Sequence, residues 1–243
     1  MHMSDALVSP QVGAVMWGAT AVVAGYCAKK VREEADESTI PLMAVSGAFV
    51  FAAQMLNFSI PGTGSSGHLG GGLLLAVLLG PHAAFLVMAS ILGVQALFFG
   101  DGGILALGAN AFNCGCMMPF VGYLVFAALK GSSKPFERRF AVAAAIGGYA
   151  GINAAAFLVA LELGLQPALH HTSSGTPLYC PFPLGVTVPA MMTAHLTVAG
   201  AAEAVLTGGI VAFLGKHHPE LFARHAREAA HAASRVSPEG GKP

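Results

Sequence analysis

The sequence predicts an all-α integral membrane protein of about seven transmembrane helices, with the N-terminus outside and its first residues tucked into the bundle. Three observations carry this. Of the 243 residues, 55% are apolar and only 10% charged, against about 25% charged in soluble domains. Several apolar stretches are long enough to cross a hydrocarbon layer about 30 Å thick. The lysines and arginines fall in three groups, and one threading of the chain puts all of them on a single side. The 31 glycines suit close helix packing in lipid. A net charge of zero offers no general attraction to nucleic acid, which is excluded as a partner. The four cysteines, Cys27, Cys114, Cys116 and Cys180, make no recognisable disulfide framework. Three of them lie in apolar surroundings, where a thiol usually acts as a small hydrophobe.

The first segment, 10–28, opens at Ser9-Pro10, with proline at the first turn, and ends at Lys29-Lys30. A charged, solvated loop over 31–37 leads to the second segment, 40–56. Residues 57–68 are rich in glycine, serine and proline and read as a loop. The apolar run 69–99 is interrupted by Gly80-Pro81-His82. As one helix it would measure about 46 Å, too long for the layer without heavy tilt. As two, with a break at Gly80-Pro81, every Lys and Arg falls on one side: Lys29, Lys30 and Arg32; Lys130, Lys134, Arg138 and Arg139; Lys216, Arg224, Arg227, Arg235 and Lys242. The positive-inside rule therefore predicts a short third helix, a return helix, and an external N-terminus. The fifth, sixth and seventh segments are expected over 107–129, 140–163 and 184–214. Small residues recur at four-residue spacing in the sixth (Ala143, Gly147, Gly151, Ala155) and in the first (Ala21 with Gly25, Ala24 with Ala28). Such faces serve internal packing or a partner subunit. Two parts follow: a transmembrane domain, 1–215, and a polar cytoplasmic tail, 216–243.

The start of the chain is where chemistry is expected. In Met1-His2 the terminal amine, the deprotonated amide of His2 and the imidazole of His2 can close two adjoining chelate rings around one ion. Such rings favour the planar geometry of Ni(II) and Cu(II). A fourth ligand is needed, and His68, at the outer end of the glycine-rich loop, is the candidate. Residues 1–16 hold no Lys or Arg, so no cleavable signal peptide is expected, and bulky His2 protects Met1 from trimming. Asp5 is expected to cap a turn, hydrogen-bond a ligand histidine, or remain solvated.

The other histidines divide by position. His82 is expected at a turn, and His170 and His171 in a polar outer loop. His217, His218, His225 and His231 belong to the tail. His195 and Glu203 lie within the seventh segment, where ionisable groups are functional or bond helix to helix. Cys114-Gly115-Cys116-Met117-Met118 resembles a soft-metal ligand set but falls within an apolar span.

Residues 1–10, Met-His-Met-Ser-Asp-Ala-Leu-Val-Ser-Pro, resemble the start of the CbiM/NikM proteins, which typically read Met-His-Ile-Pro-Asp-Gly-Phe-Leu-Ser-Pro. Residues 57–72, Leu79-Gly80-Pro81, Gly100-Asp101-Gly102-Gly103 and 107–113 also look like that family, and the likeness runs to about residue 215. The resemblance implies the substrate-binding membrane component of an energy-coupling-factor transporter in the cell membrane of a prokaryote. It implies uptake of Co(II) or Ni(II) as substrate, for uses such as cobalamin biosynthesis, and no organic cofactor. The ligands it implies are the Met1 amine, the His2 amide and imidazole, and His68. The partners it implies are a transmembrane coupling subunit, two ATPase subunits and a small accessory membrane subunit. The chain has no phosphate-binding Gly-x-x-x-x-Gly-Lys-[Ser/Thr] loop, in keeping with borrowed ATP hydrolysis and a non-enzyme. Met3, Ser4 and Ala6 depart from the family's start without removing a ligand. Two other readings compete: a haem-binding membrane cytochrome, and a proton-coupled secondary carrier using Glu203 and His195.

Overall fold

A computed structural model describes residues 1–34 and 39–222 of the chain. Among these, seven helices follow one another: α1 (Pro10–Glu34), α2 (Thr39–Gln54), α3 (Gly72–Leu79), α4 (Pro81–Phe99), α5 (Leu107–Lys130), α6 (Arg138–Gly164) and α7 (Leu184–His217). Each matches a segment expected from the sequence. Five are long and apolar enough to cross a membrane, with α6 continued by the short turn Gln166–Leu169. The 16-residue α2 is shorter. The eight-residue α3 rises only about 12 Å at 1.5 Å per residue. All of its residues are buried, so it ends inside the bundle rather than spanning it.

The break between α3 and α4 has a simple backbone cause. Gly80 sits at φ 84°, a left-handed value that costs a residue with a Cβ but not glycine. Pro81 then takes the first turn of α4, where its missing N–H is no loss. At the other end of α3 there is a two-stranded antiparallel hairpin, β1 (Asn57–Ile60) and β2 (Ser65–His68), pairing Asn57 with His68 and Ile60 with Ser65. The sequence reading made this stretch a loop; the turn residues are there, but the alternation of β1, Asn-Phe-Ser-Ile, lasts only four residues, and β2, Ser-Ser-Gly-His, has no apolar position. A second difference concerns α1, which runs on through Arg32 to Glu34 instead of ending near residue 28. Its last turns carry Lys29 and Lys30 within 4.0 and 3.4 Å of Glu33, an (i, i+4) and (i, i+3) pattern that extends a helix into water.

The helix ends sort by charge. All eight described lysines and arginines lie at the end of the bundle formed by the C-termini of α1, α5 and α7 and the N-terminus of α6. Aromatic packing closes that end, with Phe140 edge-on to Phe126 at 5.0 Å and to Phe222 at 5.5 Å. The two small-residue faces also separate. Ala143, Gly147, Gly151 and Ala155 of α6 are buried, and a Cβ at Gly147 would reach the carbonyl of Gly122 on α5 at 2.7 Å. That face packs internally. On α1, Ala21, Gly25 and Ala28 are exposed and leave a smooth stripe on the bundle's exterior. The tail expected over 216–243 is described only to Phe222; Arg224, His225, Arg227, His231, Arg235 and Lys242 lie outside the described residues.

Candidate metal centre

Residues 1–9 fold back into the bundle, and each anchor that holds them is a polar group set against bare backbone. Met3 exchanges two hydrogen bonds with the side chain of Asn110, its N–H donating to Oδ1 at 2.9 Å and its carbonyl accepting from Nδ2 at 3.0 Å. Ser65 Oγ donates to the His2 carbonyl at 3.1 Å. Asp5 accepts from the backbone N–H groups of Ile104 and Ala106 at 3.1 and 2.9 Å. Cys180 N–H in the outer loop donates to the Leu7 carbonyl at 3.2 Å, and Ser9 N–H donates to Gln166 Oε1 at 3.2 Å. The segment, which makes one 3-10 turn at Asp5–Leu7, thus satisfies its backbone at intervals on the hairpin, on α5 and on the outer loop. Glycine makes room for it: any Cβ at Gly103 would collide with the Asp5 carboxylate. Asp5 therefore clamps the loop before α5 and does not orient a ligand histidine, one of the roles the sequence left open.

The three expected ligand residues come together and are buried: Met1 is fully covered, His2 is 5% exposed and His68 2%. The rings of His2 and His68 stack with centroids 4.5 Å apart and planes 29° from parallel. The Met1 amine lies 3.4 Å from Ser66 Oγ on β2. His68 Nδ1 lies 2.8 Å from the carbonyl of Leu69. A carbonyl can only accept, so Nδ1 carries the proton and Nε2 carries the bare lone pair. That Nε2 is buried and has no hydrogen-bond partner among the described residues. His2 Nδ1 lies 3.0 Å from Asp101 Oδ2, close enough for an ion pair but not aligned as a hydrogen bond, and His2 Nε2 is also unpartnered.

Burial sets the charge state. The Met1 amine is pushed from its usual 8.0 down to about 5 by loss of solvent. His68 is held well below the ordinary imidazole value by burial first, then by the neighbouring amine, His2 and His195. His2 is also lowered by burial, against the pull of Asp101, while Asp101 is lowered by its contact with His2. Near neutral pH the pocket therefore presents an uncharged amine and two uncharged imidazoles beside one carboxylate, all as electron-pair donors. Among the described residues no three His, Cys, Asp or Glu side chains gather as a ready-made metal set. What gathers instead is two imidazole rings and the backbone nitrogens of Met1 and His2.

The loop that carries His68 is fixed from below. Glu203 of α7 accepts from the N–H groups of Gly70 and Gly71 at 2.8 and 3.0 Å, and its other support is Thr207 Oγ1 at 3.2 Å. Gln54 of α2 donates to the Gly70 carbonyl at 2.8 Å. These carboxylate and amide contacts lock Gly70 and Gly71, two of the three residues between His68 and α3. Sequence reasoning read Glu203 as a functional group or a helix-to-helix hydrogen bond, whereas it holds the Gly70 and Gly71 amides, and it gave Asp101, Asn110 and Ser65 no role at the site. The signal for Asp101 and Asn110 was present in the Gly-Asp-Gly-Gly and Leu-Gly-Ala-Asn stretches that resembled a known family. Three other histidines make contacts elsewhere: His170 packs on Tyr179 and His171 on the Pro167 carbonyl in the outer loop, and His218 faces Glu220. Cys27, Cys114, Cys116 and Cys180 are free thiols.

Comparison with known proteins fits this geometry. Residues 2–221 match the family model described as CbiM, cobalt uptake substrate-specific transmembrane region. The chain is 43% identical over 230 residues to the fused nickel transport protein NikMN of Rhodobacter capsulatus, covering 95% of this chain and 66% of that one. It is 40% identical over 223 residues to a metal transport protein of Methanocaldococcus jannaschii, covering 91% and 95% of the two. Against the cobalt transport protein CbiM of Geobacter sulfurreducens the identity is 30% over 230 residues, with 92% and 62% covered. The chain thus spans about two thirds of the fused nickel proteins' length. A crystal structure of a transition metal transporter superposes with a TM-score of 0.85 at 48% identity, covering 93% of this chain and 99% of that one. A truncated transition metal transporter gives 0.84 at 50% identity, with 90% and 100% covered. The chain belongs to the CbiM family, the substrate-specific transmembrane region of cobalt uptake.

Proposed function

We propose that the protein is the substrate-binding membrane component of an energy-coupling-factor importer, and that it holds one Co(II) or Ni(II) ion through the Met1 amine, the His2 amide and imidazole, and His68 Nε2. The observation that carries the reading is the buried, unshared lone pair of His68 Nε2 beside the stacked ring of His2 and the sequestered amine of Met1. A buried polar atom without a partner costs about 1–3 kcal/mol, and a cation would repay it. The chelate through the His2 amide closes on Nδ1, the atom 3.0 Å from Asp101. Asp101 then sits at the edge of the ion's position. A divalent ion, one deprotonated amide and one carboxylate sum to zero, which removes the cost of burying net charge.

The cluster of lysines and arginines at the far end of the bundle supports an external N-terminus, because that end is the cytoplasmic one by the positive-inside rule. The ion is then taken from outside. We assign 1–215 to the membrane domain and the remainder to a cytoplasmic tail. The exposed small-residue stripe of α1 suits a close helix contact, and we assign it to a coupling subunit that works with two ATPases and a small accessory membrane subunit. Replacing His2 with Ala, or fusing a tag before Met1, is expected to lower Ni(II) and Co(II) affinity by at least about a thousandfold while the protein still inserts, the first removing the imidazole that closes the second chelate ring and the second removing the free amine that closes the first. Undiminished binding in either variant would refute the ligand assignment. Uptake that survives ATP depletion and collapses with the proton gradient would refute the ATPase-coupled part alone.

A further inference from the structure

The described membrane helices contain three π-helical turns: Gln95–Phe99 in α4, Ala111–Met117 in α5 and His195–Ala199 in α7. A π-turn adds one residue to a helical turn and re-aims the side chains at that point. Each of these turns carries a buried polar residue with an unused polar atom: Gln95 Oε1, Asn113 Oδ1 and His195 Nε2. Gln95 donates to Gln54, which holds the Gly70 carbonyl, and Asn113 donates to Glu162 at 2.7 Å. Both of those side chains are therefore partly accounted for by neighbours.

His195 is different, because its free atom is a nitrogen lone pair. The ring is fully buried, and its Nδ1 lies 2.9 Å from the Met191 carbonyl. The proton therefore sits on Nδ1 and the lone pair on Nε2, the same tautomer that the Leu69 carbonyl imposes on His68. The π-turn that bears His195 packs on β2, which ends in His68. A structural histidine would use both nitrogens when buried. An imidazole with a bare, buried lone pair suits a borderline transition-metal cation.

We propose that His195 supplies a second, deeper nitrogen to the cation, so that His68 and His195 form an inner position that holds the ion once the N-terminal strand lets go. His68 is shared, which makes the inner position an alternative to the outer one and keeps the load at one ion per chain. Release of the ion from Met1 and His2 returns one proton to the His2 amide and exchanges two backbone nitrogens and a ring for the His195 ring. The inner position uses no planar chelate, so its coordination differs from that of the outer one.

This inference rests on the proposed outer site, and the experiment separates the two. The full chain is purified with an untagged N-terminus and titrated with Ni(II) and with Co(II), followed by calorimetry and, for Co(II), by visible absorption. His2→Ala is expected to leave a weak residual binding with an altered Co(II) spectrum. His2→Ala/His195→Ala is expected to lose that residual binding by at least about tenfold more, the usual scale for removing a group that supports a metal. The same residual binding, with the same dependence on His195, is expected when a tag precedes Met1, so the result does not hang on one variant's folding. Equal residual affinity with and without His195, or none at all in His2→Ala while wild type binds, would overturn the inner position and leave the outer site standing. A wild-type chain that binds neither ion would overturn both.

Discussion

Replacing Asp101 with Asn tests the charge balance of the site with little change of shape. The carboxylate lies 3.0 Å from His2 Nδ1 and its side chain is 25% exposed. A metal–nitrogen bond of about 2 Å puts the ion about 5 Å from it. With the His2 amide deprotonated, the ion and its ligands carry a net charge of plus one. At about 5 Å and an effective dielectric of about 20, the attraction to Asp101 is worth about 3 kcal/mol, or about two orders of magnitude in affinity. The variant should therefore bind Ni(II) about a hundredfold more weakly by competition calorimetry. Its far-ultraviolet spectrum should be unchanged, and the deficit should shrink only modestly in high salt because the pair is mostly buried. A loss of less than about threefold would show that Asp101 does not balance the ion's charge.

Other outcomes follow from the same geometry. Gly103→Ala drives a methyl group into the Asp5 carboxylate, and Asp5→Ala removes the acceptor for the Ile104 and Ala106 N–H groups. Each should weaken Ni(II) binding by about tenfold or more through loss of the tucked strand, with a charge-assisted bond worth about 1.5–3 kcal/mol at stake; unaltered affinity in both would argue against the clamp. Glu203→Ala orphans the amides of Gly70 and Gly71 and should cost about 2–4 kcal/mol in thermal unfolding in detergent, with Glu203→Gln, which keeps an acceptor oxygen, costing less. Because burial lowers the amine from 8.0 to about 5, the unfolded chain binds the extra proton between those values. Stability of the tucked apo state must therefore rise with pH from about 5 to about 8 and level off above. For the same reason Ni(II) binding at pH 7 should release about one proton, that of the His2 amide, whereas an exposed amine would bring the release to about two; calorimetry in buffers of different ionisation heat counts them.

Much of this molecule could be read from its residues, and the gaps have physical causes. Seven helices stand where hydropathy put them, and the break at Gly80-Pro81 followed from a charge rule and a ring that cannot continue a helix. That α3 is short followed from the same break; that it is buried on every side was not legible, because an apolar run does not reveal how deep its neighbours sit. The hairpin hid because Ser65, Ser66 and Gly67 have no strand period, and their pairing depends on the buried N-terminal segment laid over them. The meeting of Met1, His2 and His68 was foreseen from donor chemistry. Asp101, Asn110 and Glu203 were not, since each contacts the site through backbone or tautomer and leaves no spacing in the sequence. The π-turns at Gln95, Asn113 and His195 are invisible to a 3.6-residue pattern, because one extra residue in a turn is within the error of any periodicity.

The most direct test of the account is to block the Met1 amine alone. The purified chain with a free Met1 is compared with the same chain acetylated at that nitrogen, by Ni(II) titration at pH 7. The account predicts that this single cap lowers affinity by at least about a hundredfold while His2 and His68 remain intact. Equal affinity in the two forms would contradict it.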